Sequence, residues 1–121
     1  MTVLIVDAAN VVGSVPDGWW RDRKGAAERL RDLLAGRTGG EEIILVVEGA
    51  ARGVESVPGV RVDSAAGSGD DRIVELAAEH AGRGCVVVTS DRALRTRVRV
   101  YGAECAGPRT VRPAPDGPRG G

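Results

Sequence analysis

Aromatic residues, histidine and cysteine are scarce in this sequence, and long hydrophobic runs are absent. Its 121 residues include no Phe, one Tyr, two Trp, one His and two Cys. The core must therefore consist of Val, Ile, Leu and Ala, and two cysteines are too few for a disulfide framework or a zinc site. A single histidine excludes catalysis by a histidine pair. Because no apolar run reaches membrane-spanning length, we expect a cytoplasmic protein with no membrane partner.

The sequence also lacks a charge of one sign. Its 17 basic and 17 acidic residues give a formal net charge of zero at pH 7, so the whole molecule presents no strong field to nucleic acid. Any contact with nucleic acid must come from local clusters. The Walker loop and the G-x-G-x-x-G loop, which bind nucleotide phosphates, are both missing.

Short apolar segments alternate with helical patterns along the chain. The apolar segments predict strands at 2–8, 42–49, 60–65 and 85–90, with a weaker one at 103–107. Helical spacing predicts helices at 18–36, 69–81 and 91–101. This alternation indicates a three-layer α/β/α sandwich with a mostly parallel, Rossmann-like sheet. We expect one domain over residues 1–107 and a disordered Pro/Gly/Arg-rich tail over 108–121.

Apolar stripes define the faces of these helices that we expect to contact the sheet. Leu33 and Leu34 belong to the first stripe, and Leu94 and Tyr101 belong to the third. His80 lies on the second stripe, which favours a packed helix residue over a catalytic base.

Each junction between one of the first four strands and the segment that follows carries an acidic residue. Asp7 ends the first strand, Glu48 ends the second and Asp91 follows the fourth. Asp70 and Asp71 begin the helix after the third strand. Because these junctions meet at one edge of a parallel sheet, we expect the carboxylates to gather there. An Asp at such a position is also a common helix cap, so each residue has a purely structural alternative.

Gathered carboxylates repel one another, and their pKa values rise unless a cation compensates. Mg²⁺ and Mn²⁺ prefer such oxygen ligands, and either ion can activate water and stabilise a phosphoryl oxygen. The pattern therefore predicts a Mg²⁺ or Mn²⁺ site and phosphodiester hydrolysis. Asp70 precedes the core residue Ile73 by three positions, which favours Asp70 over Asp71 as the inner ligand. Glu48 contacts the metal in one interpretation and faces water in the other.

Several motifs together resemble the NYN domain, a PIN-like ribonuclease fold, and within it the YacP-like branch. They are VDAANVVGS, VVEGA, GSGDDRIVE and VVVTSDRAL, followed by GAE, and they span residues 2 to about 106. The resemblance implies a metal-dependent endoribonuclease. By position its site residues are Asp7, Asp70 or Asp71, and Asp91 as metal ligands, with Asn10 and Ser90 in support. The chain departs from the family where Glu48 replaces the commoner Asp, and where the tail replaces the usual C-terminal continuation.

Two groups of side chains are candidates for holding the RNA. Arg92, Arg95 and Arg99 share one face of the last helix, where they either contact phosphates or form a solvated surface. Trp19 and Trp20 lie at the start of the first predicted helix. An exposed Trp there stacks on an unpaired base, which favours single-stranded RNA, whereas a buried one fastens the helix to the core.

Other functions fit the same acidic edge. One alternative is a catalytically inactive module that binds RNA or nucleotides, and another is a nucleotide phosphohydrolase. A toxin of the PIN type is a further alternative. RNA is the expected partner, with the ribosome and tRNA as candidates, and the sequence leaves both a monomer and a homodimer open.

Overall fold

A five-stranded parallel sheet forms the centre of the protein. The structure is a computed structural model that describes residues 2–37 and 39–112. Its strands are β1 (Val3–Asp7), β2 (Glu42–Val47), β3 (Arg61–Ser64), β4 (Cys85–Val88) and β5 (Glu104–Ala106). They lie in the order β3-β2-β1-β4-β5, and every neighbouring pair is parallel. The central strands are almost continuously apolar because both of their faces are covered.

Two pairs of helices cover the two faces of the sheet. The helices are α1 (Ala8–Gly13), α2 (Arg23–Ala35), α3 (Gly69–Glu79) and α4 (Arg92–Arg99), and short 3₁₀ turns occupy Trp19–Arg21, Gly49–Ala51 and Pro108–Thr110. The helices α1 and α2 pack on one face, and α3 and α4 pack on the other. The predicted three-layer α/β/α sandwich is therefore confirmed.

Alternation along the strands divides the core into two layers. Leu4 and Val6 of β1 face α1 and α2, whereas Val3 and Ile5 face α3 and α4. Successive side chains of a strand point to opposite faces, so one short strand contributes to both layers. With no Phe in the chain, aliphatic side chains fill both layers.

Two of the residues expected on apolar stripes are exposed instead, while His80 packs as predicted. Leu33 is 49% exposed, because α2 turns the neighbouring Leu34 into the core. Tyr101 is 41% exposed, because α4 ends at Arg99 and the chain leaves the helical path. His80 is buried at the C-terminal end of α3.

The structure adds α1, a helix that the sequence patterns did not predict, and it extends the packed domain. Residues 108–112, expected in the tail, fold back onto α1: Val111 is buried, and Arg112 Nη1 donates to the carbonyl of Val12 at 3.1 Å. The packed part of the chain therefore continues past residue 107. The remainder of the predicted tail, 113–121, lies outside the described residues. Within the described part of the chain, no helix has the length and apolar character needed to cross a bilayer.

Candidate active site

The carboxyl ends of β1 and β4 meet at the point where the strand order reverses. From β1 the chain continues to β2 and β3 on one side, and β4 then pairs with the other side of β1. Ligands of open α/β sheets bind in the crevice at such a point. Asp7 is the last residue of β1, and Thr89, Ser90 and Asp91 directly follow β4. The topology therefore brings together residues that lie 80 or more positions apart.

Asp7 is a buried carboxylate at this crevice, only 5% exposed. Its Oδ1 accepts a hydrogen bond from the backbone N–H of Asn10 at 3.3 Å, and its Oδ2 accepts one from the Thr89 hydroxyl at 3.0 Å. Burial, with smaller contributions from the negative charges of Asp70 and Glu48, raises the pKa of Asp7 to about 6 despite these bonds. A cation beside this carboxylate would lower that pKa and stabilise the ionised form.

Thr89 connects the two strand ends. Its fully buried hydroxyl donates to Asp7 and accepts from the backbone N–H of Asp91 at 3.2 Å. Its carbonyl accepts a hydrogen bond from Nε of Arg95 at 2.8 Å. Asp91 in turn begins α4, where its Oδ1 accepts from the backbone N–H of Leu94 at 3.1 Å. This chain of hydrogen bonds fixes Asp7 and Asp91 relative to each other.

Asn10 and Ser90, the two predicted supporting residues, contact each other across the crevice. The side-chain oxygen of Asn10 accepts from the backbone N–H of Ser90 at 2.9 Å and from its hydroxyl at 3.0 Å. These bonds join α1 to the loop between β4 and α4. Since Asn10 uses its oxygen here, its amide N–H groups are the donors it retains for a ligand.

The acidic doublet at the start of α3 divides into two different environments. Asp71 is exposed and forms an ion pair with Arg97, at 2.9 Å between Oδ1 and Nη2. Burial raises the pKa of Asp70, and the negative charges of Asp91 and Glu48 raise it further, partly offset by Arg97. Asp70 is therefore the member of the doublet that lies within the electrostatic reach of the other acids.

Glu48, which follows β2, turns towards the start of α3. Its carboxylate lies so close to Gly69 that a Cβ at that position would come within 2.5 Å of Oε1. A glycine at position 69 is what permits this approach. Glu48 thereby adds its charge to the surroundings of both Asp7 and Asp70.

The chemistry of these donors suits a hard divalent cation, because Mg²⁺ and Mn²⁺ are bound mainly by carboxylate oxygens. Among residues 2–37 and 39–112, however, no three acidic, histidine or cysteine side chains are close enough to hold a metal ion as they stand. The acids share an electrostatic environment without forming a complete set of ligands. The metal-binding roles of the predicted residues, Asp7, Glu48, Asp70, Asp71 and Asp91, remain predictions.

The three arginines predicted to share one face of α4 also differ in their exposure. Arg92 and Arg99 are exposed. Arg95 is half-buried, and its Nε is engaged by the carbonyl of Thr89. Arg95 therefore supports the loop after β4, while Arg92 and Arg99 remain available for phosphates. Their predicted contact with RNA is untested.

The two tryptophans differ in their surroundings. Trp19 packs partly against the core, whereas Trp20 is 51% exposed. Their rings meet edge to face, with centroids 5.8 Å apart. The guanidinium of Arg23 lies 5.4 Å from the centroid of the Trp19 ring. Both interpretations of these residues thus apply in part, because Trp19 fastens the start of α2 and Trp20 remains open to solvent.

A cavity of about 290 Å³ lies beside the acidic edge, and the sequence patterns did not reveal it. Its walls include Ala8, Ala9, Ala27 and Ala51, whose methyl groups carry no chemical signal. The one sequence feature that could have drawn attention to it is the recurrence of adjacent alanines at 8–9, 26–27 and 50–51. Three larger side chains also line the cavity, those of Trp19, Arg23 and Glu48.

The architecture is a three-layer α/β/α sandwich with acidic residues at the reversal of its strand order. In particular, the chain is similar to the crystal structure of a mutant of Rae1 (YacP) from Bacillus subtilis, with a TM-score of 0.76 and 23% sequence identity. The match covers 92% of this chain and 72% of that one. It confirms the predicted fold and, at the level of the fold, the predicted resemblance to the YacP-like branch. No protein-family model matches the chain, and no curated protein matches it significantly.

Proposed function

We propose that this chain is a metal-dependent endoribonuclease that hydrolyses phosphodiester bonds of single-stranded RNA at the acidic edge of its sheet. One observation carries the proposal: acids from separate elements meet at the strand-order reversal, where burial and the charges of Asp70 and Glu48 raise the pKa of Asp7 to about 6. A site of this kind is stabilised by a divalent cation. The sequence motifs shared with NYN ribonucleases and the fold shared with Rae1 (YacP) support RNA as the substrate.

The residues that would hold Mg²⁺ or Mn²⁺ are Asp7, Asp70 and Asp91, with Glu48 beside them. When bound, the ion supplies Lewis-acid stabilisation of the phosphoryl oxygens and activates the attacking water. Asp71 lies outside this group because it is paired with Arg97.

The remaining site residues position the acids and the substrate. The hydroxyl of Thr89 donates to the carboxylate of Asp7 and accepts from the backbone N–H of Asp91, so it ties the two residues together. Asn10 is fixed by Ser90 and directs its amide N–H groups, as donors, to a non-bridging phosphate oxygen. The exposed Arg92 and Arg99 contact phosphates that flank the cleaved bond.

The proposal is tested by cleavage of unstructured RNA with purified protein in Mn²⁺ or Mg²⁺. We expect cleavage that EDTA abolishes, and we expect Asp7→Asn and Asp91→Asn each to lower the rate by at least about a hundredfold, as the loss of a metal-site group does. Asp32→Asn is the matched control, because Asp32 is a carboxylate with a 65% exposed side chain on α2. Circular dichroism verifies that each variant is folded.

Cleavage that persists in both site variants, or that is indifferent to EDTA, contradicts the proposal. Tight RNA binding without cleavage would indicate a catalytically inactive binding module. Hydrolysis of free nucleotides without cleavage of RNA would indicate a nucleotide phosphohydrolase at the same edge.

A further inference from the structure

The cavity beside the acidic edge has a lining suited to a flat apolar ring. It lies between α1, α2 and the 3₁₀ turn Gly49–Ala51 and has a volume of about 290 Å³. Alanines from all three elements form much of its wall, and the indole of Trp19 forms another part. Ligand pockets commonly span about 300–1,000 Å³, so this one suits a single ring system better than a larger ligand.

The cavity adjoins the proposed cleavage site. Ala8 lines it and directly follows Asp7 in the chain. Glu48 also lines it, and the charge of Glu48 contributes to raising the pKa values of Asp7 and Asp70. A group that occupies the cavity is therefore adjacent to a phosphate held at the acids.

The charges around the cavity match a nucleotide. Arg23 lines the cavity and places its guanidinium 5.4 Å from the centroid of the Trp19 ring. Because the guanidinium lies over the Trp19 ring, a base in the cavity would contact the planar guanidinium, which also supplies a cation near the base's own phosphate. Glu48 supplies acceptor oxygens that can take a hydrogen bond from the N–H groups of a base edge.

From these observations we propose that the cavity receives one unpaired nucleobase of the RNA strand, next to the phosphate at the acidic edge. This inference rests on the proposed function, since it names a subsite of the same substrate. The inference predicts a preference for single-stranded RNA, because a base within a duplex cannot leave its stack without an energetic cost. It also assigns Trp19 and Arg23, together with the alanines, to substrate binding.

The test measures the binding of RNA without cleavage, in EDTA, by fluorescence anisotropy. The two ligands are labelled hexaadenylate and an abasic ribose-phosphate chain of the same length and charge. Ala9→Leu fills the mouth of the cavity from an exposed position on α1, and Ala51→Leu fills it from the opposite wall. Ala78→Leu, the same change on the exposed face of α3, is the control.

We expect the wild type to bind hexaadenylate about 5–150-fold more tightly than the abasic chain, the range that stacking of one base contributes. Ala9→Leu and Ala51→Leu should remove this preference, and Ala78→Leu should retain it. Equal affinity of the wild type for the two ligands overturns the inference, as does a preference that survives in both cavity variants. Because the assay requires neither metal nor catalysis, its outcome is independent of the cleavage test.

Discussion

No other acidic residue in the described part of the chain combines the three properties of Asp7. Asp7 is 5% exposed, it accepts hydrogen bonds on both carboxylate oxygens, and its pKa is raised to about 6. Hydrogen bonds to a carboxylate normally lower its pKa, so burial and the neighbouring charges must outweigh them. The protein therefore carries an electrostatic cost at neutral pH that a divalent cation would remove.

This cost predicts a pH dependence of stability in EDTA. The folded pKa of Asp7 is about 6, against an ordinary value of 3.8, so between these values the folded state binds the proton more tightly. The contribution of Asp7 to the free energy of unfolding is consequently fully present below pH 3.8 and is lost as the pH rises from there through 6, by roughly 3 kcal/mol in total. Urea unfolding of wild type and Asp7→Asn at pH 5 and pH 8 measures about half of this loss, the part that occurs above pH 5.

We expect the wild type to lose more stability than Asp7→Asn between pH 5 and pH 8, because Asn does not titrate. The difference between the two proteins cancels the contributions of groups that do not interact with Asp7. Parallel pH profiles for the two proteins would show that the pKa of Asp7 is not raised.

At the scale of single residues, the sequence predicted where residues lie relative to the strands and helices better than it predicted what surrounds them in the fold. It placed Asp7 and Asp91 at strand ends because an apolar run visibly stops there. It also favoured Asp70 over Asp71 by helical spacing, and the surroundings of the two residues agree with that preference. Thr89 is different: its buried hydroxyl connects two strands, and such a contact depends on which strands are neighbours.

Among the elements, α1 shows why some features escape prediction. It has six residues, AANVVG, which is too short for a helical stripe, and its valines are also typical of strands. The only sequence signal for the start of this helix is Asp7, whose carboxylate caps it. The sequence patterns had indicated Asp7 as a candidate metal ligand. In the structure Asp7 is both a helix cap and a member of the acidic edge. The capping interpretation and the functional one were therefore compatible.

The helix α4 offers a test of the same double role at Asp91. Its Oδ1 caps the helix by accepting from the backbone N–H of Leu94. Asn caps as well as Asp does, whereas Ala removes the cap at a cost of about 1 kcal/mol. We therefore expect Asp91→Ala to lower the free energy of unfolding by about 1 kcal/mol, with Asp91→Asn close to wild type in urea unfolding.

Both variants should nevertheless lose RNA cleavage, since neither carries the carboxylate. Equal destabilisation by Asn and Ala would show that capping is not what Asp91 contributes to α4. Cleavage by Asp91→Asn at the wild-type rate would show that the carboxylate has no catalytic role.

For the whole molecule, the order of strands is the feature that creates the site. Because β1 lies between β2 and β4, the ends of elements from both halves of the chain meet at one crevice. The alternation of strands and helices was enough to predict this architecture and the edge on which the acids lie. It could not predict the cavity, because separate elements form it and four of its nine lining residues are alanine.

The central claim is that Asp7 and Asp70 share this edge with Asp91 and together take up a divalent cation, whereas Asp71 does not. Titration of Mn²⁺ into the protein, followed by isothermal calorimetry, tests it directly. We expect binding to the wild type, a loss of affinity of about 10–100-fold in Asp7→Asn and Asp70→Asn, and near wild-type affinity in Asp71→Asn. Equal Mn²⁺ affinity in all four proteins, or a loss confined to Asp71→Asn, would contradict the claim.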